Sequence, residues 1–584
     1  MKILLTAINA KYIHSSLAVR SLNVFASKYK EHIDVCEYTI NNDEDFILRE
    51  IYEKRPDVIC FSCYIWNINI IKNLADSLKK VLPNSVIVCG GPEVSYDCRN
   101  FLEENSAFDI VLYGEGEKPF LYLTEYFLGK RNIEDVSNAV YRKNGEIFEN
   151  SQCEAASLDE IPFVYNDLSD FENKIIYYET QRGCPYSCQF CLSSVEKGVR
   201  FLSLERVFND LDFFLKNNVK QVKFVDRTFN CNIKHAMAIW KYIMDNDNVV
   251  TNFHMEIEAH IITDEIIDFL KNAREGLFQF EIGVQSTNPL TLEAVRRNTD
   301  FESLKEKIIK IKNMGNIHVH LDLIAGLPYE GYESFGESFD DVYALRPQQL
   351  QLGFLKLLKG SGLRRDSEKY GICYNSRSPY EVLYTKWLTF EDVLKLKNIE
   401  ELVEVYYNSG KAETAERYAV GFFKSPFEFY ENFSMYWEEK GYFKVNHTKA
   451  KLYDIFYDFC SLREETKEHI KVIGQLLKCD MLMWDNLKNF QSWVDIDLSE
   501  EFKQKKRDFY NNKELVEKYI SHISDFSPAQ LSRMCFIEKF EFDLVKYFKC
   551  GEFSGDKTHI VLFDYQNRDI ISNKVRIIDI TEDF

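Results

Sequence analysis

Three cysteines, Cys184, Cys188 and Cys191, lie within the run Arg182-Gly183-Cys184-Pro185-Tyr186-Ser187-Cys188-Gln189-Phe190-Cys191. Their C-x3-C-x2-C spacing offers three thiolates from one loop, with no fourth nearby. A structural zinc site takes four protein ligands in a tetrahedron. A 4Fe-4S cluster held by three cysteines instead keeps one iron open for a substrate or cofactor, unlike a ferredoxin cluster closed by four. Buried free thiols, or a zinc site completed from elsewhere in the chain, are the other readings of this spacing.

A second set of residues follows apolar runs of strand length: Ser62, then Gly90-Gly91-Pro92-Glu93, then Gly114-Glu115-Gly116-Glu117. Glycine at a strand end lets a flat or phosphate-bearing ligand approach the backbone, and the helix start that follows favours anions.

The elements that position these residues alternate regularly. Strands are expected at 2–9, 33–39, 57–62, 85–89 and 109–113, with helices at 16–29, 44–54, 67–81, 95–104 and 117–128. That order implies an α/β, flavodoxin-like doubly wound parallel sheet with ligands at the strand carboxyl ends. We assign this domain to residues 1–140 and a linker to 141–168, which contains Ser157-Leu158-Asp159-Glu160-Ile161-Pro162.

Alternation resumes with strands expected at 174–181, 220–226, 252–259, 277–285, 317–325 and 349–357. Parallel strands with crossover helices of this length close into a partial (β/α)6 barrel, here over residues 169–365. Period two sorts the faces. Phe253, Met255 and Ile257 alternate with His254, Glu256 and Glu258. Phe280, Ile282 and Val284 alternate with Gln279, Glu281, Gly283 and Gln285, and His318, His320 and Asp322 share one parity. The apolar face must meet the helices, so the polar sets point inward. A barrel filled only for packing carries Val, Ile and Leu inside; this interior suits a polar ligand or an open, solvated face.

Residues 366–584 read as a mainly helical, aromatic-rich domain with strand-like runs at 558–565 and 574–580. Cys373, Cys460, Cys479, Cys535 and Cys550 are scattered there without C-x-x-C spacing, which argues against a second cluster.

With Phe190 just before the last cysteine, the cysteine loop resembles the signature of the radical SAM superfamily. The series Ser62, Gly90 to Glu93 and Gly114 to Glu117 resembles the cobalamin-binding domain found ahead of many radical SAM domains. The resemblance covers residues 1–365, and the remainder resembles an uncharacterised carboxyl-terminal domain attached to such proteins. It implies three cofactors: a 4Fe-4S cluster on Cys184, Cys188 and Cys191, S-adenosyl-L-methionine (SAM), and cobalamin.

Residue by residue, Asp226 resembles the position that meets the SAM amino group. Glu256 or Glu258, Gln285 and Ser286 resemble ribose- and carboxylate-contacting positions. Ile324 and Pro328 belong to a segment resembling G-x-I-x-G-x-x-P, which packs on adenine, although Asp322 replaces its first glycine. Ser62, Gly90, Gly91, Gly114 and Glu115 resemble cobalamin contacts. His14 stands where mutase-type domains place the cobalt-ligating histidine, but Tyr12 and Leu17 replace the Asp and Gly of D-x-H-x-x-G. The missing carboxylate favours a polar loop residue.

The implied activity is methyl transfer to an unactivated carbon through a 5′-deoxyadenosyl radical. The alternatives are a non-methylating cobalamin-assisted cyclisation or rearrangement, and a cobalamin-binding redox sensor. No catalytic side chain is assigned. A small-molecule or peptide substrate and an external one-electron reductant of the flavodoxin or ferredoxin type are implied as partners. The 72 basic and 92 acidic residues, a net charge of −20, argue against a long nucleic-acid track and so against transfer-RNA methylthiolation. No apolar stretch reaches the ~18 residues of a membrane span. The first ten residues lack a signal peptide's order, and fifteen cysteines without framework spacing suit a reducing, cytoplasmic setting.

Overall fold

The computed structural model describes residues 1–584 apart from 196–197, 298, 488–489 and 552–557 and the side chains of 549–550, so the Cys550 thiol lies outside the described residues. The chain divides into two compact units. One comprises Met1–Ile317, Ile324–Tyr332 and Gly353–Phe390; the other comprises His318–Leu323, Glu333–Leu352 and Glu391–Phe584.

The first unit opens with β1 (Ile3–Asn9), α1 (Leu17–Phe25), β2 (Ile33–Thr39), α2 (Glu44–Lys54), β3 (Val58–Ser62), α3 (Ile68–Val81), β4 (Val86–Gly90), α4 (Cys98–Glu104), β5 (Ile110–Leu112) and α5 (Glu117–Phe127). The strands read as continuous apolar runs because both faces are covered. Leu4, Ile8, Ile59, Phe61 and Ile87 pack under α2, α3 and α4, while Ile3, Leu5, Val58, Cys60 and Val88 pack under α1 and α5. Helix α3 turns Ile68, Ile71, Leu74 and Leu78 onto the sheet, each worth about 1.5–3 kcal/mol of burial.

The sheet does not stop at residue 140. Strands β6 (Ala139–Lys143) and β7 (Glu146–Glu149) extend it antiparallel, in the order β2-β1-β3-β4-β5-β6-β7. The first part of the expected linker is therefore a hairpin. Asn144 and Gly145 turn it with φ of 53° and 85°, the left-handed pair that a two-residue turn needs.

Next come β8 (Ile176–Tyr178), β9 (Gln181–Arg182), β10 (Arg200–Phe201), β11 (Gln221–Phe224), β12 (Asn252–Glu256), β13 (Phe278–Gln285), β14 (Ile317–Ala325) and β15 (Gln349–Phe354). Six of them form a sheet in the order β15-β14-β13-β12-β11-β8, the last two strands running through both units. Strand β13 alternates buried and half-buried residues along its whole length, as the period-two pattern requires. The apolar parity meets helices Leu204–Lys216 and Ile233–Asp245, where Phe214 packs on Tyr178 and Trp240 on Phe280. The first barrel strand ends sooner than expected. The chain leaves it at Tyr178 and enters an antiparallel ribbon, β9 on β10, which clasps the two ends of the cysteine loop.

The second unit is mainly helical. Helices Pro426–Lys440 and Lys449–Leu462 enclose an aromatic core of Phe429, Phe433, Phe456 and Phe459. Its sheet has three antiparallel strands, Cys535–Phe540, His559–Arg568 and Val575–Asp579. The first of these was not expected from the sequence.

Candidate cofactor site

Cys184, Cys188 and Cys191 are free thiols on the loop between β9 and β10. Burial pushes the Cys188 thiol up, the charges of Cys191 and Cys184 add to this, and the Arg297 guanidinium opposes it. The three thiols thus share one electrostatic neighbourhood. Gly183 adopts φ +101°, and a Cβ there would lie 2.2 Å from the Gly198 carbonyl oxygen. Only glycine lets the two edges of the loop meet so closely.

Asp226 is fully buried at the end of β11. Its Oδ1 accepts from the backbone N–H of Thr180 and Gln181 at 2.8 and 3.0 Å, and its Oδ2 meets Thr180 Oγ1 at 2.5 Å. Burial raises its pKa to about 7 against these hydrogen bonds. The carboxyl thus holds the chain that feeds the cysteine loop. It positions the loop.

Arg297 was not singled out in the sequence. Its Nη1 lies 4.0 Å from Cys188 Sγ, and its Nη2 donates to Glu258 Oε2 at 3.1 Å and the Gly283 carbonyl at 2.5 Å. Glu258 Oε1 is 2.9 Å from His260 Nδ1. Glu258 thus ties Arg297 to the end of β12 through Oε2, while its Oε1 is buried without a hydrogen-bond partner. Ser286 donates to Glu330 Oε1 at 2.6 Å, deep in the interior.

Gln285 is half-buried at φ +73°, and its side chain folds back so that a Cβ on Gly283 would lie 2.1 Å from its Nε2. Its Oε1 is buried without a hydrogen-bond partner. Such an atom is costly unless a ligand or water meets it. Glu256 sits half-buried on the same parity of β12. Ile324 lines an apolar patch with Leu327, Phe190 and Ile65, and Pro328 is buried just beyond. Deeper in the barrel, Glu281 Oε2 takes Lys223 Nζ at 3.1 Å and His254 Nε2 at 2.9 Å. In β14, His320 Nε2 meets Asp322 Oδ1 at 3.0 Å.

At the carboxyl ends of β3, β4 and β5, Ser62, Gly90 and Gly91 are half-buried and Gly114 is exposed. Gly91 has φ +109°, and a Cβ would strike the Cys63 carbonyl oxygen at 2.6 Å. Gly114 has φ +71° and a nearest neighbour in Asn138. Their backbones form a cradle open to a flat ligand. Glu115 is committed elsewhere: its Oε2 meets Arg182 Nη1 at 2.6 Å, and its Oε1 meets Arg200. Arg182 also reaches Glu117 at 3.1 Å and Glu179 at 2.7 Å. Burial alone would raise the Glu117 pKa, but the Arg182 charge together with hydrogen bonds from Arg182, the backbone and Ser21 outweighs it and holds the carboxyl below the usual range. His14 is half-buried, with Nδ1 2.5 Å from the Tyr177 hydroxyl of β8. Burial, then Lys11 and Lys223, lower its pKa.

The donor set fits the implied groups. Three free thiols beside a guanidinium suit an anionic cluster, the orphaned Gln285 amide suits a polar ligand at its side, and the glycine cradle suits a planar macrocycle.

Residues 3–123 match the family described as "B12 binding domain", residues 178–342 the "Radical SAM superfamily", and residues 368–563 a "Protein of unknown function (DUF4080)". The chain is 27% identical over 348 residues to the cobalamin-dependent radical SAM methyltransferase TokK of Streptomyces tokunonensis, covering 54% of this chain and 50% of that one. It is 25% identical over 304 residues to the hopanoid C-3 methylase of Methylococcus capsulatus, covering 50% of this chain and 57% of that protein. The chain thus spans about half the length of these relatives. The solved structure of the cobalamin-dependent radical enzyme OxsB with aqua-cobalamin superposes with a TM-score of 0.56 at 16% identity, covering 82% of this chain and 79% of OxsB. No helix among the described residues is long and apolar enough to cross a membrane.

Proposed function

We propose that this chain, a cobalamin-binding domain joined to a radical SAM domain, transfers a methyl group to an unactivated carbon of a small-molecule or peptide substrate. The observation that carries the reading is Arg182, which lies two residues before Cys184 and is gripped by Glu115 and Glu117 of the glycine-rich turn after β5. The loop suited to a cluster and the turn suited to cobalamin are thus built against each other. When bound, the cluster and SAM supply one-electron cleavage to a 5′-deoxyadenosyl radical, and cobalamin supplies a methyl carrier.

The chain's own residues hold and orient. Cys184, Cys188 and Cys191 are the cluster ligands, Asp226 fixes the incoming backbone through Thr180 and Gln181, and Arg297 sets a positive charge against Cys188. Gln285 Oε1 would accept a hydrogen bond from bound SAM, and Glu256 would serve the same ligand. Ile324 and Pro328 supply an apolar seat for the adenine. Ser62, Gly90, Gly91 and Gly114 would line the corrin side, and His14, whose Nδ1 is held by Tyr177, would act as a polar loop residue. An external one-electron reductant and a reducing, cytoplasmic setting belong to the same reading.

The test uses protein reconstituted without oxygen with iron, sulfide, cobalamin, SAM, a strong reductant and a cell extract as substrate source. Both 5′-deoxyadenosine and S-adenosylhomocysteine should form, only with cobalamin and extract. Deoxyadenosine without the homocysteine would replace methyl transfer by cyclisation or rearrangement. Absence of SAM cleavage altogether would leave a cobalamin-binding redox sensor.

A further inference from the structure

The segment Gly353–Phe390 begins at the end of the last barrel strand and belongs to the same compact unit as both cofactor loops. Its second half carries the start of the family of unknown function, which begins at residue 368. Three sets of contacts define what it does.

The first involves Glu93, the carboxylate of the Gly-Gly-Pro-Glu turn, which is only 4% exposed. A buried carboxylate needs partners, and Glu93 takes them from this segment: the Tyr380 hydroxyl donates to Oε1, and Lys359 Nζ lies 3.3 Å from the same oxygen. Tyr380 is buried, with the Arg364 guanidinium 4.6 Å over its ring.

The second is close packing on the neighbouring turns. Gly360 has φ +85°, and a Cβ there would lie 2.5 Å from the Tyr96 ring. Ser378 Oγ donates to the carbonyl of Ile65, in the loop after β3. The third set lies on the cysteine loop. Leu363 N–H donates to the Gln189 carbonyl at 2.8 Å, and a Cβ on Gly362 would lie 2.0 Å from Gln189 Oε1. Between these anchors Leu355, Leu357, Leu363 and Val382 form an apolar core that Ile65, Phe190 and Ile324 join.

One strap therefore touches the turn after β4, the loop after β3, the cysteine loop and the segment assigned to adenine. We propose that Gly353–Phe390 is a bracket that fixes the spacing between cobalamin and the cluster, with Tyr380 and Lys359 as positioning residues acting through Glu93. The inference rests on the cofactor reading above. Transfer between two bound groups falls steeply with misplacement, by about a hundredfold for 1 Å, so a rigid joint between their loops is a functional requirement. It also gives the opening residues of the uncharacterised domain a role in the cofactor chamber.

The test compares full-length wild type, Tyr380→Phe and Lys359→Met, each reconstituted anaerobically, with iron and sulfide content as the folding control. Spectroscopic titration with hydroxocobalamin gives the affinity. Electron paramagnetic resonance of the reduced protein gives the dipolar interaction between cob(II)alamin and the cluster. Each variant should bind cobalamin about tenfold more weakly, as expected for a lost hydrogen bond to a charged group. Each should also show a weakened or heterogeneous dipolar interaction at unchanged iron content. Wild-type affinity and an unaltered dipolar spectrum in both variants would overturn the bracket. A wild-type protein that retains no cobalamin would overturn the cofactor reading itself, and the bracket with it.

Discussion

Arg182 Nη1 lies 2.6 Å from Glu115 Oε2, joining a residue on the threshold of the cysteine loop to the turn after the fifth strand of the amino-terminal sheet. Glu117 and Glu179 complete the cage around the same guanidinium. Planar, forked and always charged, arginine can serve three carboxylates at once where lysine offers a single point. The pair makes two domains, separable by eye in the sequence, into one electrostatic object.

Arg182→Ala should destabilise the protein by about 2–3 kcal/mol, somewhat under the cost of stripping a fully buried ion pair of one member, because Glu117 and Glu179 lose their cation while Glu115 keeps Arg200. Denaturant unfolding of the apo protein measures it. Arg182→Lys should recover only part of the loss, and an alanine variant as stable as wild type would remove the cage from the account.

What the sequence revealed was what is local. Three cysteines within eight residues, glycines at strand ends, and the alternation of Gln279 to Gln285 each state their geometry within one element. Arg182 and Glu115 are 67 positions apart, and neither residue type advertises its partner. Arg297 stayed hidden for the same reason: its meaning lies in a 4.0 Å approach to Cys188. The hairpin at 139–149 was legible, through Asn144-Gly145 between two alternating runs, yet it falls where the parallel rhythm ends and so reads as linker. The same holds for Tyr380 and Glu93, since an aromatic residue in an irregular segment usually signals nothing beyond packing.

Asp226 supplies a pH dependence. Its folded pKa is raised to about 7 by burial, above the ordinary carboxylate value of about 3.9. A raised carboxyl stabilises the fold as the protonated acid. Its contribution is complete below the ordinary range and is lost as pH rises through about 7. Apo wild type should therefore lose stability relative to Asp226→Asn between about pH 4 and about pH 7, the interval between the unfolded and folded pKa values, since an amide donates to Thr180 Oγ1 at every pH. A difference that stays flat across that interval would contradict the assignment.

His14→Ala should leave the paramagnetic spectrum of bound cob(II)alamin unchanged. The partner of Nδ1 is the neutral Tyr177 hydroxyl at 2.5 Å, and Tyr12 stands where mutase-type domains carry the carboxylate that orients and polarises a ligating imidazole. Loss of a nitrogen-coupled signal in the variant would show instead that the other ring nitrogen reaches the cobalt.

Gly91→Ala tests the cradle with a built-in comparison. Gly91 and Gly145 share a left-handed backbone, at φ +109° and +85°, but an added methyl meets the Cys63 carbonyl oxygen at 2.6 Å in the first and open space in the second. The Cys63 backbone cannot retreat, because its N–H donates to the Gly90 carbonyl at 2.7 Å. A side chain at 91 would therefore displace the turn after β4, on the proposed corrin side. Cobalamin affinity should fall by about tenfold or more in Gly91→Ala, while Gly145→Ala carries only the cost of roughly 1 kcal/mol for a non-glycine residue in this conformation and binds cobalamin as wild type does. Iron content should stay at the wild-type level in both. Equal cobalamin affinity in the two variants would mean that the turn after β4 is shaped for the fold alone.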